Sequence, residues 1–130
     1  MTQQSILGKC KLVAFAATTD FVKARAFYEG VLGLKLVEAQ QPFALVFDAN
    51  GTMLRVTAAH EHNPAQFTVL GWAVDSIEET VEQLTAAGVE FQRYPGVNDG
   101  DPRGIWTAPG GARLAWFKDP DGNVLSVTQH

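Results

Sequence analysis

The stretch DFVKARAFYEGVLG, Asp20 to Gly33, decides the reading of this chain. Asp20 can accept hydrogen bonds from the free amides of a first helical turn. Ala24, Phe27, Tyr28, Val31 and Leu32 then recur at the spacing of one helical face. Gly33 closes the segment, because glycine enters the left-handed conformation without a Cβ penalty. A second stretch, DSIEETVEQLTAAG from Asp75 to Gly88, follows the same plan. Its Ser76-Ile77-Glu78-Glu79 has the form of a capping box, and Ile77, Val81 and Leu84 continue on one face. Both runs span thirteen residues from aspartate to glycine (33 − 20 and 88 − 75).

Strand signals surround each helix in the same order. Leu12–Ala17 is a short apolar run that predicts a buried strand before the first helix. Leu34-Lys35-Leu36-Val37 begins the next strand, and Phe43–Phe47 and Thr52–Ala58 follow. The last two are joined by Asp48-Ala49-Asn50-Gly51, whose Asn-Gly pair tolerates positive φ. In the second half Phe67–Val74 predicts a strand, then comes the helix, then a strand beginning at Val89-Glu90-Phe91. Ala112–Phe117 and Val124–Gln129 complete the set, with Asp119-Pro120-Asp121-Gly122-Asn123 as the turn between them.

The turn glycine lies 31 residues after Asp20 in the first half (Gly51) and 47 after Asp75 in the second (Gly122). The Gly/Pro-rich insert Pro95–Gly111 accounts for the sixteen extra residues (47 − 31). The pattern predicts an α+β fold: two tandem β-α-β-β-β modules forming curved sheets around a cleft. One domain over residues 1–130 is expected, with module one at about 9–59 and module two at about 66–129, joined by His60–Gln66.

Composition narrows the function. Apolar residues make up 46% and charged residues 18%, which excludes a disordered or low-complexity chain. Ten Lys and Arg against fourteen Asp and Glu give a net charge of −4. No basic cluster exists to release counterions from nucleic acid, so none is expected as a partner. The single cysteine, Cys10, cannot form an intrachain disulfide. Lys9-Cys10-Lys11 precedes an apolar run too short for a signal core or a bilayer span. A cytoplasmic protein with no membrane partner is the expectation.

Three stretches resemble the vicinal oxygen chelate superfamily, which includes glyoxalase I, extradiol dioxygenases, fosfomycin-resistance enzymes and bleomycin-resistance proteins. They are Asp20 through Phe27-Tyr28-Glu29-Gly30-Val31-Leu32-Gly33, Val74-Asp75 to Gly88-Val89, and Phe117-Lys118-Asp119-Pro120-Asp121-Gly122-Asn123. The first and third are specific to that family, and the match spans nearly the whole chain. The resemblance implies a divalent metal held by four side chains, His and Glu, on the first and last strands of each module. Those positions are Val13, Arg55, Val69 and Ser126. None can act as an imidazole, carboxylate or thiolate ligand. Neither can their neighbours Leu12, Ala14, Leu54, Val56, Thr68, Leu70, Leu125 and Val127. No metal and no other cofactor is expected.

The candidate ligand-binding residues are Arg55, Trp116, Trp106, Ser126, Phe47, Met53 and Phe15. Arg55 should point into the cleft with Met53 and Thr57, where a guanidinium can take a carboxylate or phosphate, unless a neighbouring acid neutralises it. Alternation separates Trp116 and Leu114 from Ala115 and Phe117 and sends them to the cleft; the resemblance implies a ligand-stacking role for Trp116. Trp106 and Arg103 sit in the long insert, which reads as a lid, a binding loop or a subunit contact. Trp72 reads as core. His60 and His62 read as a solvated linker pair, and His130 as a frayed end. Asp119–Asn123 lacks the sixth-position glycine and twelfth-position Glu of a calcium loop and reads as a turn.

These features favour a metal-independent binder of a small planar or anionic molecule. A metal-dependent lyase, isomerase or dioxygenase is the alternative, and a non-catalytic dimeric module with a vestigial cleft is a third. The resemblance also implies a homodimer.

Overall fold

A computed structural model describes residues 6–130. It begins with strand β1 (Val13–Thr18), then a helix that is α over Phe21–Arg25 (α1) and π over Ala26–Val31. Strands β2 (Lys35–Gln40), β3 (Ala44–Ala49) and β4 (Thr52–Ala58) complete the first unit. The second comprises β5 (Thr68–Ala73), α2 (Ile77–Ala86), β6 (Trp106–Thr107), β7 (Arg113–Lys118) and β8 (Val124–Gln129). The strands form two open, curved, four-stranded sheets in the orders β1-β4-β3-β2 and β5-β8-β7-β6. In each, the first strand runs parallel to the last and the other pairs are antiparallel. Two β-α-β-β-β modules in tandem are therefore present.

Local chemistry explains the boundaries. Asp20 Oδ1 accepts from Val22 N (3.0 Å) and Lys23 N (3.2 Å). Ser76 Oγ accepts from Glu79 N (3.3 Å), and Gln129 Oε1 takes the Ile77 amide at 2.8 Å. Asn50 (φ 53) and Gly51 (φ 97) both adopt positive φ, as the tight β3–β4 turn requires. The first helix departs from a simple α-helix. Leu32 N donates to Phe27 O, five residues back, and this wider turn carries the consecutive Phe27 and Tyr28 both into the core.

The strand expected from Val89 does not form. Gln92 N reaches Trp116 O at 2.7 Å, but the Tyr94 amide turns to Asn98 Oδ1 (2.7 Å) instead of continuing a ladder along β7. The fourth strand of the second sheet is the two-residue β6, from within the insert.

One core serves both modules. Leu45, Phe47, Leu54 and Val56 from the first sheet join Ala115, Phe117, Leu125 and Val127 from the second, around Ala24, Phe27, Tyr28, Ile77 and Val81 of the helices. Phe27 stands edge-on to Tyr28 at 5.3 Å and 6.3 Å from Phe117, so the first helix touches the second sheet. Aromatic pairs of this kind add about 0.5–1.5 kcal/mol each beyond area burial. Polar bonds join the same seam. Thr19 N and Oγ1 donate to Asp121 Oδ1 (2.8 Å each), Asn123 Nδ2 to Ala17 O (3.0 Å), and Tyr28 to Asp119 Oδ2 (2.6 Å). The linker histidines differ from expectation: His60 is exposed, but His62 is half-buried with Nε2 2.6 Å from Asn123 Oδ1.

Candidate functional site

Since the helix-side residues fill the core, strand alternation places the others on the two open sheet faces. On the first sheet, Arg55 of β4 lies between Phe15 of β1 and Val46 of β3, with Met53 and Thr57 along its own strand. Phe15 is 58% exposed and Met53 44%, unusual for side chains of this size. Arg55 Nη2 donates to Gln40 Oε1 at 3.0 Å, and Gln40 Nε2 donates to Glu38 Oε2 at 2.9 Å.

On the second sheet, Trp116 of β7 faces Ser126 of β8, which in turn lies beside Gly71 of β5. A Cβ at position 71 would stand 2.9 Å from Ser126 Oγ, so the glycine leaves this serine its place on the face. Trp106 lies 6.0 Å from Trp116 at an interplanar angle of 32°, and Tyr94 meets Trp116 edge-on at 5.5 Å. The three rings form one aromatic array.

The insert that carries Trp106 is pinned in place. Asn98, 2% exposed, donates to Gln92 O (2.9 Å) and Gly104 O (2.7 Å) while accepting from Tyr94 N. Asp101 Oδ1 accepts from Arg103 N and Ile105 N, and the Arg93 guanidinium donates to the carbonyls of Asn98, Asp101 and Pro102. Asp101 is held below the usual carboxylate range: burial opposes ionisation, but the Ile105 and Arg103 amides outweigh it. Arg103 itself turns to Glu82 (2.6 Å), away from the array.

Phe47 requires correction. It is wholly buried, pairs with Leu54 and packs 5.8 Å from Tyr28, so it belongs to the core and not to the cleft. The unbroken apolar run Ala44-Leu45-Val46-Phe47 carries no polar marker of which face is open. Trp72 is half-buried and packs against the core with Leu70 and Val74. Tyr94 and Gln40 escaped the sequence reading. Alternation from the buried Val89 and Phe91 would have sent Gln92 and Tyr94 to the open side; Gln40 gave no signal.

The structure brings Arg55, Phe15 and Met53 together on one sheet and Trp116, Trp106 and Ser126 on the other. No described contact joins the two groups. A groove of about 850 Å³ lies elsewhere, between α2 and the insert, floored by Val81, Val89 and Phe91. Its cations, Arg93 and Arg103, are already engaged.

The four positions that the resemblance assigns to metal ligands do not suit a divalent cation. Val13 and Arg55 lie on the first sheet, Val69 at the register shift of β5, and Ser126 on β8. Two aliphatic chains, a guanidinium and one hydroxyl are a poor donor set. Among the described residues no three His, Cys, Asp or Glu side chains converge. Nor, among them, is any helix long and apolar enough to cross a membrane.

A sequence model of the Glyoxalase/Bleomycin resistance protein/Dioxygenase superfamily matches residues 11–127. Among solved structures, the chain resembles a glyoxalase family protein from Bacillus anthracis (TM-score 0.77, 18% identity, 99% of each chain covered). It also resembles a lactoylglutathione lyase from Agrobacterium tumefaciens (TM-score 0.73, 19% identity, 95% of this chain and 96% of that one). A superfamily member from Sphaerobacter thermophilus DSM 20745 matches at TM-score 0.69 with 24% identity, over 92% and 97% of the two chains. At these identities the likeness is one of fold. A search of curated proteins returns no match.

Proposed function

This chain belongs to the glyoxalase/bleomycin resistance protein/dioxygenase superfamily, and from that premise we propose that it is a metal-independent binder of a small planar or anionic molecule. Arg55 carries the reading. Of the five arginines, Arg25, Arg103 and Arg113 face Glu29, Glu82 and Glu78, and Arg93 is spent on loop carbonyls. Arg55 has as its described partner only the neutral Gln40. A guanidinium without a carboxylate partner on a face with Phe15 and Met53 suits the acid group of an otherwise apolar molecule.

The aromatic array is the second support. Admitting a ring between Trp106 and Trp116 would need about 7 Å, two van der Waals separations of roughly 3.5 Å. At 6.0 Å the pair is too close, so a planar ligand lies against its outer face. The donor set at Val13, Arg55, Val69 and Ser126 favours binding without a metal.

We read the functional unit as a homodimer in the cytoplasm. Strands β1 and β5 each end their sheet as an edge, and Leu12 (77% exposed), Phe15 and Phe67 (70%) lie on or beside them. Apolar edges of this kind invite a second copy. Light scattering after size exclusion should give twice the chain mass; a monomer at micromolar concentration removes the dimer.

The binding reading is tested by elemental mass spectrometry on protein purified without chelator, with melts in added Ni, Zn, Mn or Fe. Near-zero metal and unmoved melts are expected, together with quenching of Trp116 by members of a panel of planar acids and drugs. About one metal per chain would move the reading to an enzyme, and a silent panel at saturation would end it.

A further inference from the structure

Among the described residues, no acid pairs with Arg55. On the open face of the first sheet, Lys35 and Asp48 lie opposite one another across β2 and β3, and Asp48 Oδ1 also accepts the Gly51 amide at 2.8 Å. Glu38 sits opposite Val46, the residue beside Arg55, yet its Oε2 is taken by Gln40 Nε2. Gln40 is thus a neutral spacer between acid and guanidinium. An amide has one donor end and one acceptor end, so the carboxylate of Glu38 decides which end faces Arg55: the oxygen. That oxygen holds one Nη and adds no net charge, leaving the other donors of the fork and the full positive charge in place.

We propose that Gln40 is the specificity-determining residue of the site: tethered by Glu38, it orients Arg55 to take a single carboxylate borne on an apolar body. The proposal rests on the reading of Arg55 as an anion-binding group. One guanidinium bordered by Phe15, Val46 and Met53 matches one delocalised negative charge with two coplanar oxygens. A phosphate monoester brings nearly two charges to a face that already holds Glu38 and Asp48, and a neutral amide cannot use the charge at all.

The test uses benzoate, benzamide and phenyl phosphate as probes of one shape, titrated while following the Arg55 Nε–H resonance by NMR. Benzoate should shift that signal to saturation, with the other two at least about tenfold weaker. Gln40→Glu, which gives Arg55 a direct acid partner, should abolish the preference for benzoate. Gln40→Ala, which removes the spacer and frees Glu38, should weaken benzoate several-fold and narrow its lead over the other two probes; backbone spectra check that both variants fold. Equal binding of benzamide or phenyl phosphate to the native chain, or a native preference in Gln40→Glu, overturns the proposal. A silent Arg55 signal with all three probes also overturns it, and the Trp116 panel, which does not involve Arg55, then decides the binding reading separately.

Discussion

The Tyr28 hydroxyl donates to Asp119 Oδ2 at 2.6 Å, across 91 residues of chain and from the first module to the second. Asp119 is buried, and its carboxylate accepts four bonds. Asn123 Nδ2 shares Oδ2 (2.8 Å), and the amides of Asp121 and Asn123 fill Oδ1 (2.9 Å each). Asn123 then reaches Ala17 O and His62, and Asp121 holds Thr19. The two stretches specific to the family resemblance, Asp20–Gly33 and Phe117–Asn123, are therefore the two halves of one clasp. They join the two modules.

Removing the Tyr28 hydroxyl should cost stability. Bonds to a charged acceptor contribute about 1.5–3 kcal/mol, so Tyr28→Phe is expected to lower the urea unfolding free energy by that amount with an unchanged m-value. The ring would stay packed against Phe27 and Phe47. A loss below about 0.5 kcal/mol, the range of ordinary surface changes, would mean that the clasp does not form.

The same group predicts an alkaline limit. Burial first, and then the Asp119 carboxylate, push the Tyr28 phenol well above its ordinary value of 10. The folded state keeps a proton that the unfolded chain releases. Stability is therefore full below about pH 10 and falls above it, by up to about 1.4 kcal/mol per pH unit for this one group. Urea melts between pH 9 and 11 (roughly one unit either side of the free phenol value) should show that slope, and Tyr28→Phe should reduce it.

How much could be read beforehand follows from the range of each interaction. Asp20, Ser76 and Asn50-Gly51 act on neighbours within four residues, and their local chemistry sets the helix starts and the hairpin. Val89–Phe91 failed as a strand because Asn98, further along the chain, takes the Tyr94 amide. Arg55 and Trp116 were singled out by the positions the family resemblance gives them, together with alternation along their strands. Gln40 was invisible because its role exists only through a partner fifteen residues away on a strand that is not its hairpin neighbour.

Asn98 should hold the aromatic array from a distance. Truncating it in Asn98→Ala strands the Gln92 and Gly104 carbonyls and the Tyr94 amide. A cost of about 2–4 kcal/mol is expected from these buried and part-buried groups. The Trp106–Trp116 pair should also loosen, which far-UV circular dichroism reads as loss of an exciton couplet. Trp106→Phe and Trp116→Phe should each remove that couplet and Trp72→Phe should not; a couplet that survives Trp106→Phe would contradict the pairing.

Phe47 and Phe15 offer the sharpest check on which sheet face is open, since sequence alone gave both to the cleft. Phe47 is wholly buried against Tyr28, so Phe47→Ala should leave a cavity and cost about 3–5 kcal/mol. Phe15, 58% exposed, loses far less environment on truncation. Phe15→Ala should change the unfolding free energy of the single chain by under about 1 kcal/mol, in the range of surface substitutions. Its effect should appear instead as weaker self-association and weaker binding of the planar panel. Denaturant melts of the two variants side by side decide the matter: equal losses would mean that both phenylalanines share one environment, and the assignment of Phe15 to an open face would be wrong.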